Sequence, residues 1–416
     1  MNFNKLLSGN ITKYQKEGFI MISVGIDVSK GKSTVCIMKP CGEILESPFD
    51  IGHTADELDS LISLIKSFDE ETRVVMEDTG HYHLPVATYL SSHNIFVCCV
   101  NALRMKKFCS QSIRRAKTDK IDSIKIASFG ITYWNELVKA YPSNVIYDEL
   151  KFLARQYYQV TGMLVKSKVN FSNLLDQVMP KINDVLSNQG ENHKLTEFVS
   201  RYIHFQNILD MGEMKFTSDY CKWAKKKGYR LNERKAAEIL ALAQNGIPTL
   251  PNSQSVKIAV SEAVKLIHSI EESRNTILAQ MQDLCNTLPE YSVVKEMDCI
   301  GDTLAPRIIA EIGDVRRFKN KHSLIAYAGI DAPPYQSGAF HASERHISKR
   351  GNSYLRKTGY EIMQSLIKHK PADNAVYNFI QKKRSEGKCG KEAMIAGLNK
   401  FLRVYYGKVM EFYSEH

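Results

Sequence analysis

Residues 21–38, MISVGIDVSKGKSTVCIM, decide the fold of the N-terminal part of this chain. The apolar run 22–26 predicts a buried strand, residues 29–32 predict a turn, and the second apolar run, 34–38, predicts the partner strand. The two strands form a hairpin, and Asp27 lies at the end of the first strand, close to the turn. We therefore expect a sheet whose first strand ends in a carboxylate.

Three further acids follow in an α/β pattern. Glu77 ends the run 73–76, and Gly80 follows it before an amphipathic stretch, 84–90. Asp119 and Asp122 lie three residues apart at the start of a helical pattern, so both can face one side of a helix. Hard cations such as Mg²⁺ prefer oxygen ligands, and two such ions can hold the attacking and leaving oxygens of a phosphodiester. The joint placement of the four acids predicts a magnesium site.

Each acid also has a simpler interpretation. Asp119 and Asp122 resemble a helix N-cap with an acidic third residue, which is the favoured interpretation for that pair alone. Asp27 could be a turn residue, and Glu77 could be a solvated loop acid. Its neighbour Asp78 is an alternative ligand. Only the four acids together indicate metal-dependent chemistry.

The charge of the chain favours a polyanionic partner. Its 416 residues carry a formal charge of +11, with a pI near 9.0. Nine cysteines without a CxxC pair argue against a disulfide framework or zinc site, and no apolar stretch approaches the ~20 residues of a membrane span, so we expect a cytoplasmic protein. Candidate nucleic-acid-binding residues come from clusters that flank the motifs: Arg114, Arg115, Lys117, Lys120, Arg316, Arg317, Lys349 and Arg350.

Pattern also predicts the organisation of the chain. Residues 1–20 are a polar extension, 21–140 an α/β domain, 141–290 a helical region and 291–416 a mainly helical C-terminal domain. Two proline-free stretches, 147–178 and 256–288, predict long helices that form an antiparallel hairpin or a coiled-coil arm. The role of residues 180–252 stays open.

Four segments in order carry a resemblance to a known family: GIDVSKGK at 25–32, EDTGHYHLP at 77–85, VNALRMKKF at 100–108 and RRAKTDKIDSIKIA at 114–127. They resemble the DEDD domain of the IS110 family, the Piv/MooV-type transposases and invertases. The resemblance implies a RuvC-like domain with a ribonuclease-H-like sheet, in which Asp27, Glu77, Asp119 and Asp122 bind Mg²⁺.

The C-terminal part resembles the second domain of the same family. Residues 297–330 look like its first motif, and PPYQSGAF at 333–340 and HISKRGNSYLRK at 346–357 match its later motifs. Within the first motif, residues 299–312 predict a turn at Gly301 followed by an apolar helix, similar to a helix-hairpin-helix, with an ordinary helix pair as the alternative. The resemblance implies that Ser337, in QSG, is a nucleophile that becomes attached to DNA. The residues alone favour a surface turn there, with Ser343, Ser348 and Ser353 as lower-ranked rivals.

The resulting hypothesis is a transposase that cuts and rejoins double-stranded DNA through a serine–DNA intermediate. The resemblance further implies a homodimer or homotetramer, a noncoding guide RNA, and acids of one protomer that act with the serine of another. The alternatives are a Holliday-junction-resolvase-like nuclease that activates water, a site-specific DNA invertase, and a DNA-binding protein whose acids have lost their function.

Overall fold

The computed structural model describes residues 21–78, 80–110, 118–140, 144–188, 193–230, 232–332, 336–337, 340–341 and 346–416. The chain divides into two compact units, with the division between Pro142 and Ser143. The regions expected at 141–290 and 291–416 both lie in the second unit. No helix in the described ranges is long and apolar enough to span a membrane.

The first unit contains a five-stranded mixed sheet in the order β3-β2-β1-β4-β5. Strands β1, β2 and β3 pair antiparallel, whereas β4 pairs parallel with both β1 and β5. The predicted hairpin and the α/β class of this part are thus confirmed. The elements are β1 (Met21–Val28), β2 (Lys32–Met38), β3 (Ile44–Gly52), α1 (Ala55–Lys66), β4 (Glu71–Asp78), α2 (Leu84–Ser92), β5 (Phe96–Asn101), α3 (Ala102–Cys109) and α4 (Asp119–Thr132), with short 3-10 turns at Pro40–Gly42 and Trp134–Glu136.

Helices cover both faces of this sheet, and the strand pleat assigns each residue to one of them. On one face, Ile22, Val24 and Ile26 of β1 form a core with Leu58 of α1 and Leu90 of α2. The opposite face is covered by α4, which packs on β1, β2 and β4. Residues of β1 that alternate with the buried isoleucines and valine therefore face α4.

Among its described residues, the second unit has helices and one short hairpin. Its two longest helices lie side by side and antiparallel, since the C-terminal part of the first packs with the N-terminal part of the second. The elements are α5 (Val145–Val178), α6 (Ile182–Val185), α7 (Lys194–Tyr202), α8 (Phe205–Met211), α9 (Glu213–Lys226), α10 (Glu233–Asn245), α11 (Gln254–Asn286), α12 (Tyr291–Lys295), α13 (Gly301–Ile312), a 3-10 turn (Val315–Arg317), α14 (Lys321–Ala328), β6 (Gln336–Ser337), β7 (Phe340–His341), α15 (Ser353–His369), α16 (Ala375–Ser385) and α17 (Gly390–Glu415).

The helical hairpin of α5 and α11 contributes to two separate cores. One end packs with α7 to α10, where Trp223 is buried against Phe198 and Tyr220. The other end packs with α13 to α17. Near the first core, Arg201 of α7 forms a two-point ion pair with Asp219 of α9, at 2.6 and 3.0 Å.

Candidate active site

Asp27 and Glu77 lie on neighbouring strands at the same edge of the sheet. The parallel register pairs Ile26 with Met76, so the residues that follow them, Asp27 and Glu77, are neighbours across strands about 4.8 Å apart. Ile26 and Met76 point into the core shared with α1 and α2. Because successive side chains alternate, Asp27 and Glu77 both face the side that α4 covers.

Helix α4 brings a third acid to this face. A Cβ atom added to Gly25 would lie 2.7 Å from Cα of Ala127, and nearer still to backbone atoms of Ala127 and Ser123, so one turn of the helix rests on Gly25. Gly130, further along the helix, lies over Ser23. The helix thus runs antiparallel to β1, and Asp122, which precedes Ser123, lies towards Asp27.

The environment of Cys109, the last residue of α3, supports this convergence. Burial raises the pKa of its thiol, the charge of Lys125 lowers it, and the carboxylates of Asp122, Glu77 and Asp27 raise it further. One thiol therefore senses three of the four predicted acids and one cation. Charged side chains from α4, β1 and β4 thus lie near the end of α3.

Lys125 belongs to this site but is absent from the residues predicted by the sequence. Its Nζ lies 3.2 Å from Oδ1 of Asp122, and both side chains are about three-quarters covered, with 23% exposed. The sequence does carry a signal for this pair, since a lysine three residues after an acid on a helix lies on the same face.

Asp78 and Asp119 differ in their settings from the other three acids. Asp78 is on the opposite side of β4 from Glu77, and its Oδ1 lies 3.6 Å from Nε2 of the buried His83. Asp119 is exposed in the first turn of α4. The capping interpretation of Asp119 is wrong, because the N-cap is Thr118, whose side chain accepts a hydrogen bond from the Ile121 amide.

The acids suit a hard divalent cation in kind. Carboxylate oxygens are its preferred donors, and Asp27, Glu77 and Asp122 share one face. Within the described ranges, no three His, Cys, Asp or Glu residues are close enough to hold a metal ion in this conformation.

Ser337 lies in the second unit, in the two-residue strand β6, where it pairs with Phe340 of β7. Its rival Ser343 lies outside the described residues. The hydroxyl of Ser348 donates to Oδ1 of Asp331 at 2.5 Å, and the Ser348 amide donates to the Asp331 carbonyl at 2.8 Å. Ser348 thus ties two chain segments together, while Ser353 is the first residue of α15.

The predicted basic residues occupy different settings. Arg114, Arg115 and Lys117 lie outside the described residues. Lys120 is exposed on α4, where its charge helps the Thr34 hydrogen bond to lower the pKa of Asp50.

In the second unit, Arg316 is paired with Asp314, with Nη2 to Oδ2 at 2.8 Å, and Arg317 donates from Nη2 to the Ile312 carbonyl at 2.9 Å. Lys349 and Arg350 are exposed in the turn before α15, where the Lys349 amide donates to the Gly329 carbonyl at 3.0 Å and the Arg350 amide donates to Oγ of Ser348 at 3.4 Å. Of these four, the last two present their charge most openly.

Comparison with known proteins identifies two matching family models. The DEDD transposase model of IS110, described as "Transposase", matches residues 24–180. The model described as "Transposase IS116/IS110/IS902 family" matches residues 291–378. The first range contains the four acids, and the second contains Ser337.

Individual relatives agree with these models. The 43.6 kDa protein of insertion element IS110 from Streptomyces coelicolor is 21% identical over 299 residues, which cover 72% of each chain. The 44.8 kDa protein of IS116 from Streptomyces clavuligerus is 22% identical, over 90% of this chain and 91% of its own. The pilin gene-inverting protein of Moraxella bovis is 26% identical, over 32% of this chain and 42% of its own.

The solved structures that align include T. thermophilus RuvC in complex with a Holliday junction substrate. The alignment covers 28% of this chain and 96% of that chain, at 10% identity and a TM-score of 0.21. The two family models and the insertion-element relatives point to one family. This chain belongs to the IS110 family of transposases.

Proposed function

We propose that this transposase cuts and rejoins double-stranded DNA at the ends of an insertion element and at its target, by way of a serine–DNA intermediate. The observation that carries the proposal is the convergence of Asp27, Glu77 and Asp122 on one sheet face beneath α4. Carboxylates from separate elements around one point are the ligand set that phosphodiester chemistry with Mg²⁺ requires. We propose further that the first unit is RuvC-like.

The acids have the role of ligands. Asp27, Glu77 and Asp122 would hold Mg²⁺, and Asp119, one turn before Asp122, would join them once DNA is bound. When bound, Mg²⁺ would supply stabilisation of the negative charge that develops on the phosphate oxygens. The partly covered setting of Asp27, Glu77 and Asp122 favours this role, since electrostatic interactions weaken as water enters a site.

Ser337 has the role of nucleophile in this proposal. Its hydroxyl oxygen forms a bond to the scissile phosphorus, the bond to the departing DNA oxygen breaks, and the serine proton balances the charge on that oxygen. A second DNA hydroxyl then attacks the phosphoserine ester and releases the serine. Each step exchanges one phosphate ester for another, so strand joining needs no external energy source.

Partners follow from charge and family. Exposed Lys349 and Arg350, with Lys120, would contact phosphates, and these contacts would position DNA without selecting its sequence. We also propose a noncoding guide RNA, a dimer or tetramer, and a cytoplasmic location, each implied by the family.

The decisive experiment maps a covalent adduct. Full-length protein is incubated with Mg²⁺, the noncoding RNA that flanks its element, and labelled junction DNA, followed by denaturing gels and peptide mass spectrometry. We expect a DNA-linked peptide that contains Ser337, which Ser337→Ala and Asp27→Ala both abolish while Ser353→Ala retains it. Metal-dependent cutting without an adduct would instead support the water-activating nuclease. No cutting under any of these conditions would support a DNA-binding protein without catalysis.

A mixing experiment tests the action of two protomers. Asp27→Ala and Ser337→Ala proteins, each inactive alone, should recover about a quarter of wild-type cutting when mixed, if the acids and serine of one active centre come from different protomers. No recovery with exchanging subunits would place both groups on the same protomer.

Site-specific inversion is a second candidate, favoured by the similarity to the Moraxella pilin gene-inverting protein. The two functions differ in substrate. A plasmid with two sites in inverted orientation distinguishes them, because an invertase flips the intervening segment whereas a transposase excises or circularises the element.

A further inference from the structure

We propose that Lys125 is a resident counter-ion of the acid site, which holds Asp122 until a divalent cation and a DNA phosphate displace it together. This inference rests on the proposed metal-binding role of the acids. It assigns a positioning role to Lys125, which is neither one of the predicted metal ligands nor one of the predicted DNA-binding residues.

The contact differs from an ordinary surface pair. Lys125 and Asp122 are 3.2 Å apart, with 23% of each side chain exposed. Lys265 and Glu262 have the same three-residue spacing on α11, yet 72% and 62% of their side chains are exposed. Water weakens the second pair much more than the first.

Lys125 also acts on the rest of the acid cluster. The Cys109 thiol is close enough to sense the charges of Lys125, Asp122, Glu77 and Asp27. The ammonium group, in contact with Asp122, therefore lies near the same thiol as the three carboxylates. A divalent cation that binds Asp122 must compete with a cation that is already there.

This competition predicts a coupling between metal and DNA. Lys125 can pair with Asp122 or with a phosphate, but a single ammonium group cannot fully neutralise both. DNA that attracts Lys125 frees Asp122 for the metal, and by reciprocity the metal frees Lys125 for DNA. The competition between Lys125 and the metal for Asp122 would keep the metal weakly bound until DNA is bound.

The test is a Mn²⁺ titration of the full-length protein, read by the electron paramagnetic resonance signal of free Mn²⁺. Lys125→Met removes the charge and keeps the length of the side chain, so we expect about fivefold tighter Mn²⁺ binding than in the wild type. Lys125→Arg keeps the charge and should bind Mn²⁺ like the wild type. Lys265→Met is the matched control, because it removes a lysine from an exposed pair of the same three-residue spacing and should leave Mn²⁺ binding unchanged.

Asp27→Ala separates this proposal from the proposed function. If Asp27→Ala binds Mn²⁺ as the wild type does, the metal site itself is wrong. If Asp27→Ala loses Mn²⁺ while Lys125→Met matches the wild type or binds more weakly, the site stands and the counter-ion role is overturned. Circular dichroism confirms that each variant is folded.

A second titration contains a double-stranded oligonucleotide and tests the coupling. DNA should tighten Mn²⁺ binding in the wild type, and by at least about threefold more than in Lys125→Met. Equal gains in the two proteins would overturn the transfer of Lys125 to phosphate.

Discussion

Adding one methyl group at Gly25 tests the packing of α4 on which the acid site depends. In Gly25→Ala the new Cβ would lie 2.7 Å from Cα of Ala127, against about 3.4 Å for an ordinary close contact. The helix must therefore retreat by at least about 0.7 Å, and the nearest atoms are helix backbone that cannot rotate away. The change displaces Asp122 relative to Asp27.

The expected loss of stability follows from this geometry. Overpacking costs about 1–3 kcal/mol, and a clash with backbone belongs at the upper end, so we expect ~3 kcal/mol. With a urea m value of ~2 kcal/mol/M, the unfolding midpoint of the first unit should fall by about 1.5 M. Cutting of DNA should fall by about 100-fold, because active-site groups tolerate little misplacement.

The two tryptophans of the chain allow the units to be followed separately. Trp134 is buried in the first unit, where the guanidinium of Arg73 lies 4.3 Å from its ring centroid, and Trp223 is in the second. In a Trp223→Phe background, fluorescence reports the first unit alone.

Gly130→Ala is the matched control at the same interface. Its new Cβ would meet side-chain atoms, Ser23 Oγ and Val75 Cγ2, which can move more easily than backbone. We expect a loss below about 1.5 kcal/mol. A Gly25→Ala protein with an unchanged urea midpoint would refute the packing of α4 on β1.

Three further predictions test the electrostatics and the face assignments. Asp122→Asn should lower the pKa of the Cys109 thiol, because it removes a nearby negative charge. Peptide mapping should then show at least about twofold faster labelling of Cys109 by iodoacetamide at mildly alkaline pH. An unchanged labelling rate would contradict the proximity of the thiol to the acids. Glu77→Gln should reduce metal-dependent cutting by about 100-fold, whereas Asp78→Asn, on the opposite face, should reduce it by less than about threefold; equal losses would contradict the assignment. The hydrogen bonds from Arg201 lower the pKa of Asp219 below its value in the unfolded chain. The stability that this ion pair contributes is therefore present above about pH 4 and is lost as the pH falls through the pKa of Asp219 in the folded protein. In urea unfolding of the second unit, Asp219→Asn should therefore cost under about 1 kcal/mol at neutral pH and nothing in acid, and a cost that persists in acid would contradict this origin.

Much of the local structure could be predicted from single segments. The alternation in 21–28 places Asp27 on the same face of the strand as Gly25 and on the opposite face from Ile26. The pattern after Thr118 predicts the helix that carries Asp122 and Lys125. The long helices α5 and α11 follow from uninterrupted apolar periodicity without proline. By contrast, the interest in Ser337 came from family resemblance, because a serine beside a glycine has no distinctive local pattern.

The sequence by itself determined which residues share a face within each strand or helix, because the periods of two and 3.6 are properties of the local backbone. Only the tertiary structure decided that Glu77, and not Asp78, shares a face with Asp27, because this depends on the parallel register between β1 and β4. It also decided that α4 runs antiparallel to β1 over Gly25, which brings Asp122 and Lys125 to the two strand acids. Such pairings join residues 50 to 100 positions apart, and the packing that selects among them has no counterpart in any single segment.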